Sequence, residues 1–406
     1  METYAAEPTT AAPALKEEIL TLVRRYQAAS LEAASSTNLL ALIEALLDAN
    51  WNDGRLSERF EFAIAEWFGT HQALLVNSGS SANLVAMAAL TSPRLGKLQL
   101  HPGEEVITLA SPSSSLAAAL IHHQLTPVFV DLALPGFNVD IRQLQSAITM
   151  RTRAIALPHL FGNPFDLDAV TILAAFHNLL LIEDCRSAAG ARFSGRAVGS
   201  FGQFATASFH QGRQISMGEG GAVLASSPVY RSIAASFRDG GRGEQGQLQL
   251  DHAGYGLRAS GLQAALGLTQ LAAATAGRIA EGNRNAQAVI EGVAGLGELF
   301  ILPETLPQAQ PSWLELPLAL RESAPFSRDE FTMALVAAGV SARPWPPSLA
   351  TQPAFASRPH RTVGPLRVTN FLAAQGLSIA VPPAGAQQPD VAAIVETIHS
   401  VTRDLR

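Results

Sequence analysis

The chain is poor in thiols, in lysine and in charge of either sign. Cys185 is its only cysteine among 406 residues, which excludes an intrachain disulfide and any zinc or iron–sulfur site built from several thiolates of one chain. No metal site is expected, and Cys185 itself reads as a small buried core residue. Of 28 basic residues only Lys16 and Lys97 are lysines, the other 26 being arginines. Charged residues make up 15% of the chain and the net charge is −6, with the basic residues scattered, so neither a nucleic-acid backbone nor an anionic bilayer is an expected partner. No apolar run approaches the roughly 20 residues of a spanning helix, and Met1–Ala12 lacks a signal's basic start and apolar core, so a cytoplasmic location is expected.

Apolar residues reach 48%, ample material for a buried core, and the length suggests two domains. Between His71 and Ser226 the β-prone runs ALLVN, EEVITLA, TPVFVDL, RAIALPH, LLLIED, ATASFH and GGAVLAS alternate with helical segments such as Ser81–Leu90, Ile141–Thr149 and Leu167–Phe176. That alternation predicts βαβ units and a mostly parallel seven-stranded sheet covered on both faces. LLLIED is apolar and then acidic, as expected of a buried strand whose carboxyl end opens onto a crevice. A long helix is predicted from Gly261 to about Ala288, with the domain boundary along it: a large α/β domain over 1–272 and a smaller α+β domain over 273–406. The latter contains Leu314–Leu320, Phe331–Ala338, Asp390–Asp404 and the proline-rich ARPWPPSLATQP.

Three stretches carry candidate chemistry. Asn77-Ser78-Gly79-Ser80-Ser81 opens a helix, where free backbone N–H groups attract an anion such as a phosphate, although an ordinary Ser/Asn cap looks the same. Glu183-Asp184 ends a strand, where a carboxylate either pairs with a protonated ring nitrogen or bonds a local turn. Ser208–Gly221 is a glycine-dense turn holding Ser208, His210 and Arg213, more polar than packing alone requires.

These pieces, in this order, resemble the sugar aminotransferase and dehydrase family (DegT/DnrJ/StrS type) of fold-type I pyridoxal phosphate proteins, most closely its nucleotide 4-keto-6-deoxyhexose 3-dehydrases. The likeness runs from about Glu17 to Ala273 through LVNSGSSANLVAMAALTSPRLG, PVFVDLALPGFNVD, LIEDCRSAAGARFSGRAVGSFGQFATASF and ISMGEGGAV. It implies a fold-type I aminotransferase-like homodimer with the active-site crevice at the subunit boundary, acting in deoxysugar or secondary metabolism on a small molecule such as a nucleotide sugar. It also implies that Gly79, Ser80 and Ser208 contact a cofactor phosphate, that Asp184 pairs with the pyridinium nitrogen, and that Ser187 and Arg213 belong to the same site.

The departures from the family pattern bear on function. Arg213 stands where the family has its Schiff-base lysine and the 3-dehydrases a histidine. Arginine stays protonated, with a pKa above about 12, so it neither forms an aldimine nor readily accepts a proton. Ser113 replaces the ring-stacking aromatic, Tyr255-Gly256-Leu257 replaces a Tyr-Asn-Leu motif, and Ala342–Ser348 and Thr369–Ala373 rewrite the nucleotide-sugar grip. Two readings follow. In the leading one a dehydratase or lyase binds pyridoxamine or pyridoxal phosphate noncovalently, with His210 or His159 as base; His159 is expected to be structural first and His210 functional first. In the other the cofactor is gone, and the fold serves a different metabolite or partners a related enzyme. Arg213 then clamps an anion or neutralises Asp184.

Overall fold

The computed structural model describes residues 17–22, 33–47, 54–243, 250–381 and 390–406. Lys16 lies outside them. All seven predicted runs form strands of one sheet: β1 (Gln72–Val76), β2 (Glu105–Leu109), β3 (Thr126–Val130), β4 (Thr152–Pro158), β5 (Leu180–Asp184), β6 (Phe204–Ser208) and β7 (Gly221–Ala225). The small domain adds β8 (Phe300–Ile301), β9 (Glu315–Leu320), β10 (Ala342–Pro344), β11 (Arg361–Thr362) and β12 (Gly376–Ala380).

Strand order in the large sheet is β1-β7-β6-β5-β4-β2-β3-β11. The pairs β6–β5, β5–β4, β4–β2, β2–β3 and β3–β11 are parallel, whereas β7 runs antiparallel to both β1 and β6. Because side chains alternate along a strand, each buried strand feeds two cores. Ala73, Leu75, Ile107, Ile155 and Leu181 enter one, while Leu74, Val76, Val106, Ala154 and Ile182 enter the other with helix α1 (Gly79–Leu90). That helix starts after Ser78, whose side chain accepts from Ser81 N, a cap of the expected type.

The predicted helix after Gly261 forms in two pieces. A capping box between Ser260 and Gln263 starts α2 (Gly261–Ala273); a wider turn over Ala274–Arg278, with Gly277 at φ 116, leads into α3 (Ile279–Val293). A separate core of Val289, Phe300, Leu316, Phe331 and Ile398 surrounds the antiparallel sheet β8-β9-β12-β10.

The eighth strand of the large sheet was not anticipated. It comes from the C-terminal part of the chain, and Leu349, Phe355 and Leu366 pack with Ala110 and Phe129. Two carboxylates of the large sheet hold this segment. Glu105 accepts from Arg361 Nη2 at 2.9 Å, and Asp131 accepts from the backbone N–H groups of Val368 and Thr369 at 2.8 and 2.7 Å. Residues 349–369, expected in the smaller domain, thus lean back onto the large sheet. No helix among the described residues is long and apolar enough to cross a membrane.

Candidate functional site

The carboxyl ends of β4 and β5 open on a cavity of about 360 Å³, where ligands bind in open α/β sheets. Ser113, Asp184, Arg186, Ser187 and Arg213 face it from the large sheet, and Glu315, Arg343 and Trp345 close it from the small one.

Parallel pairing with β4 and β6 places Asp184 opposite Pro158 and Thr206, and the residue is buried. Its carboxylate is taken up by its own chain. Arg186 Nε donates to Oδ1 at 3.2 Å and to Oδ2 at 3.1 Å, Arg186 N to Oδ1 at 3.1 Å, and Ser113 Oγ to Oδ2 at 2.8 Å. A carboxylate offers about four acceptor positions, and these four contacts use them. The guanidinium is clasped in turn: Nη1 donates to Ser115 Oγ at 2.8 Å and Nη2 to Ser113 Oγ at 2.7 Å. Ser115 Oγ also accepts from Asn83, and Asn83 from Thr206, so the clasp reaches across the sheet.

Arg213 was offered by the sequence as a cation for Asp184. The structure assigns that contact to Arg186, two residues beyond the acid in a tight turn. Arg213 instead donates from Nη1 to Ser187 Oγ at 2.8 Å. It makes no ion pair within 4.0 Å among the described residues. Burial first, then the neighbouring Arg186 charge, holds the Arg213 guanidinium below its ordinary range; Glu315 and Asp184 act in the opposite direction. Next to it, buried Gln214 donates Nε2 to Ser187 O and Ser312 O. Across the cavity Arg343 grips Glu315 with Nη2, at 2.7 and 2.6 Å from its two oxygens. Trp345 is buried, its indole N–H donating to Ser111 Oγ at 2.9 Å.

His159 and Glu183 form the floor. Glu183 accepts from the backbone N–H groups of Gly199, Phe201 and Gly202 at 2.7, 2.8 and 2.9 Å, and so shapes the turn before β6. The His159 ring stacks on Phe165 at 4.1 Å with Nε2 3.2 Å from Glu183. It is fully buried. Glu183, His159 and Cys185 bring potential ligand atoms within 4.8 Å of one another, but the carboxylate there is already saturated by backbone donors. Burial, then the charges of Glu183 and Asp184, push the Cys185 thiol up, away from reactive thiolate character.

His210, the favoured base in the sequence reading, is not brought to this cavity. Its side chain is 57% exposed, and Nδ1 faces Gln211 O at 2.7 Å. The residues expected to contact a phosphate lie apart from the cavity. Gly79 is pressed against Ser208, so that a Cβ there would meet Ser208 Cβ at 2.6 Å, while Ser80 is exposed. None of Gly79, Ser80 and Ser208 lines the cavity. Gly256 pairs with Asp239 in a bridge instead, and Lys97 is exposed on a turn away from the cavity.

These contacts test the cofactor directly. A pyridine ring nitrogen at Asp184 needs an open carboxylate oxygen, and Arg186 with Ser113 takes up both oxygens. The residues present do not fit a pyridoxal ring in this arrangement. Arg186 escaped the sequence reading; the available signal was a basic residue two positions after the strand-end acid in LIEDCRS.

A mostly parallel sheet, a strand-end carboxylate at its mouth and a smaller α+β unit beside it define the fold-type I aminotransferase-like class. A GDP-4-keto-6-deoxymannose-3-dehydratase structure with a trapped PLP-glutamate geminal diamine matches with a TM-score of 0.82, covering 89% of this chain and 97% of that one, and at 22% identity shows the fold alone. The structure of DesV from S. venezuelae in complex with a ketimine intermediate matches at 27% identity with a TM-score of 0.81, covering 94% and 97%. The chain belongs to the DegT/DnrJ/EryC1/StrS aminotransferase family, whose model matches residues 34–399. Among its relatives are a lipopolysaccharide biosynthesis protein RfbH from Salmonella typhimurium, 35% identical over 85% of each chain, and a dTDP-4-dehydro-2,6-dideoxy-D-glucose 3-dehydratase from Saccharopolyspora spinosa, 37% identical over 80% of this chain and 78% of that one.

Proposed function

We propose that this chain is a non-transaminating member of its family, a homodimer that acts on a small metabolite of deoxysugar or secondary metabolism without a pyridoxal cofactor. The Arg186 guanidinium on Asp184 carries this reading, because a permanent cation of the chain's own stands where the family resemblance puts a pyridinium. Arg213, where the family resemblance puts the lysine, supports the non-transaminating part, since a guanidinium offers no nucleophilic amine. The 3-dehydratase relative supports the sugar-sized substrate.

Titration of the purified protein with pyridoxal phosphate and pyridoxamine phosphate, followed by absorbance and calorimetry, tests the reading. Flat isotherms and no borohydride-trapped label are expected; saturable stoichiometric binding overturns it. The second reading, a dehydratase or lyase with noncovalent pyridoxamine phosphate, is favoured by the close approach of Gly79 to Ser208 at the start of the helix and requires Arg186 to leave Asp184. Light scattering tests the homodimer, and a monomer refutes it.

A further inference from the structure

We infer that the cavity is a receptor for a small organic acid bearing one carboxylate, and that Arg213 is the group that holds it. This rests on the cofactor-free reading, since it takes the ring position as closed by Arg186.

Arg213 is the one cavity arginine without a carboxylate partner among the described residues. The cavity is lined by Arg186, Arg213 and Arg343 against Asp184 and Glu315, one positive charge in excess with histidine neutral. Arg186 is paired with Asp184 and also bonds Ser113 and Ser115, and Arg343 is paired with Glu315 through both of its oxygens. The excess therefore belongs to Arg213, a half-buried guanidinium with a single partner, Ser187 Oγ. Five N–H donors in a rigid fork match the two oxygens of a carboxylate. A surplus of one charge suits a monoanion better than the diphosphate of a nucleotide sugar. Pro158, Phe161 and Trp345 add apolar wall, and about 360 Å³ admits a single ring or short chain beside the acid.

The full chain is titrated by calorimetry and ligand-observed NMR with acetate, pyruvate, benzoate and glucuronate. Each is set beside its neutral counterpart (acetamide, pyruvamide, benzamide, glucose), and inorganic phosphate is run separately. At least one carboxylate is expected to bind ten-fold or more tighter than its counterpart, and Arg213→Ala to abolish that preference. Arg213→Gln, which keeps most of the volume, must abolish it too and carries the comparison if the alanine variant does not fold. Arg192→Ala, an exposed arginine outside the cavity, leaves it unchanged. The inference is overturned if no carboxylate outbinds its counterpart, if the preference survives both Arg213 variants, or if phosphate binds more tightly than every carboxylate. Failure of the underlying reading looks different: pyridoxamine phosphate then gives a saturable isotherm on the unmodified protein, whatever the carboxylates do.

Discussion

Replacing Arg186 with alanine is the perturbation that most directly exposes how this site is built. It removes both Nε contacts to Asp184, at 3.2 and 3.1 Å, and leaves a buried carboxylate with the Ser113 hydroxyl and one backbone N–H. Deleting one partner of a buried ion pair costs about 3–5 kcal/mol. Arg186 keeps 24% of its side chain exposed, so water screens part of the pair and about 2–3 kcal/mol is the expected loss. At roughly 2–4 °C per kcal/mol for a domain of this size, the large domain should melt about 5–10 °C earlier by calorimetry. A double-mutant cycle isolates the pair: Asp184→Asn removes the charge that Arg186 balances, so the combined variant should be less destabilised than the two single losses added, by at least about 1 kcal/mol. Urea melts followed by tryptophan fluorescence supply the three differences. Additivity within about 0.5 kcal/mol would refute the clasp as an energetic unit. The same Arg186→Ala protein serves a second purpose, because it vacates the ring position: pyridoxamine phosphate should bind it more tightly than it binds the parent chain, and equal affinity would mean that Arg186 is not what excludes the ring.

Three further outcomes follow from particular contacts. Burial alone would raise Glu105, but hydrogen bonds from Arg361 and Thr149 and the charges of Arg361 and Arg151 hold its carboxyl below the ordinary value of 4.5. Its contribution is therefore full above that value and lost as pH falls below it; the stability gap between the parent and Glu105→Gln should close on acidification, and a gap constant with pH would refute the assignment. His159→Ala should lower stability by about 1–3 kcal/mol, through the lost Phe165 stack and the lost Glu183 contact, while carboxylate affinity stays put; a selective loss of binding without a stability change would make His159 a ligand contact. Gly79→Ala should cost about 1–3 kcal/mol by overpacking against Ser208, and adding Ser208→Gly should recover most of it in a melt; no recovery would place the strain elsewhere.

Much of the architecture was legible along the chain. The seven β-prone runs are the first seven strands of the large sheet, because a strand buried on both faces has to be apolar nearly throughout and bounded by turns. Asp184 was legible as a strand-end acid. Local rules also set the helix starts at Ser78, Ser260 and Asp390, each capped by its own side chain, since a cap needs only neighbours a few residues away.

What the tertiary structure alone decided are the long-range meetings. Arg186 turns back onto Asp184 because Ser115 and Ser113, 71 and 73 residues away along the chain, hold the rest of its guanidinium. No local pattern distinguishes that rotamer from one reaching solvent. Likewise β11 is two residues long and becomes a strand only because Glu105, 256 residues earlier, fixes Arg361 beside β3. His210 and Arg213 are three residues apart, yet the turn sends one outward and the other into the cavity. The sequence by itself determined which chemical groups the chain owns and which elements present them; which charges meet, and so which one is left to greet a ligand, was decided only when distant segments packed together.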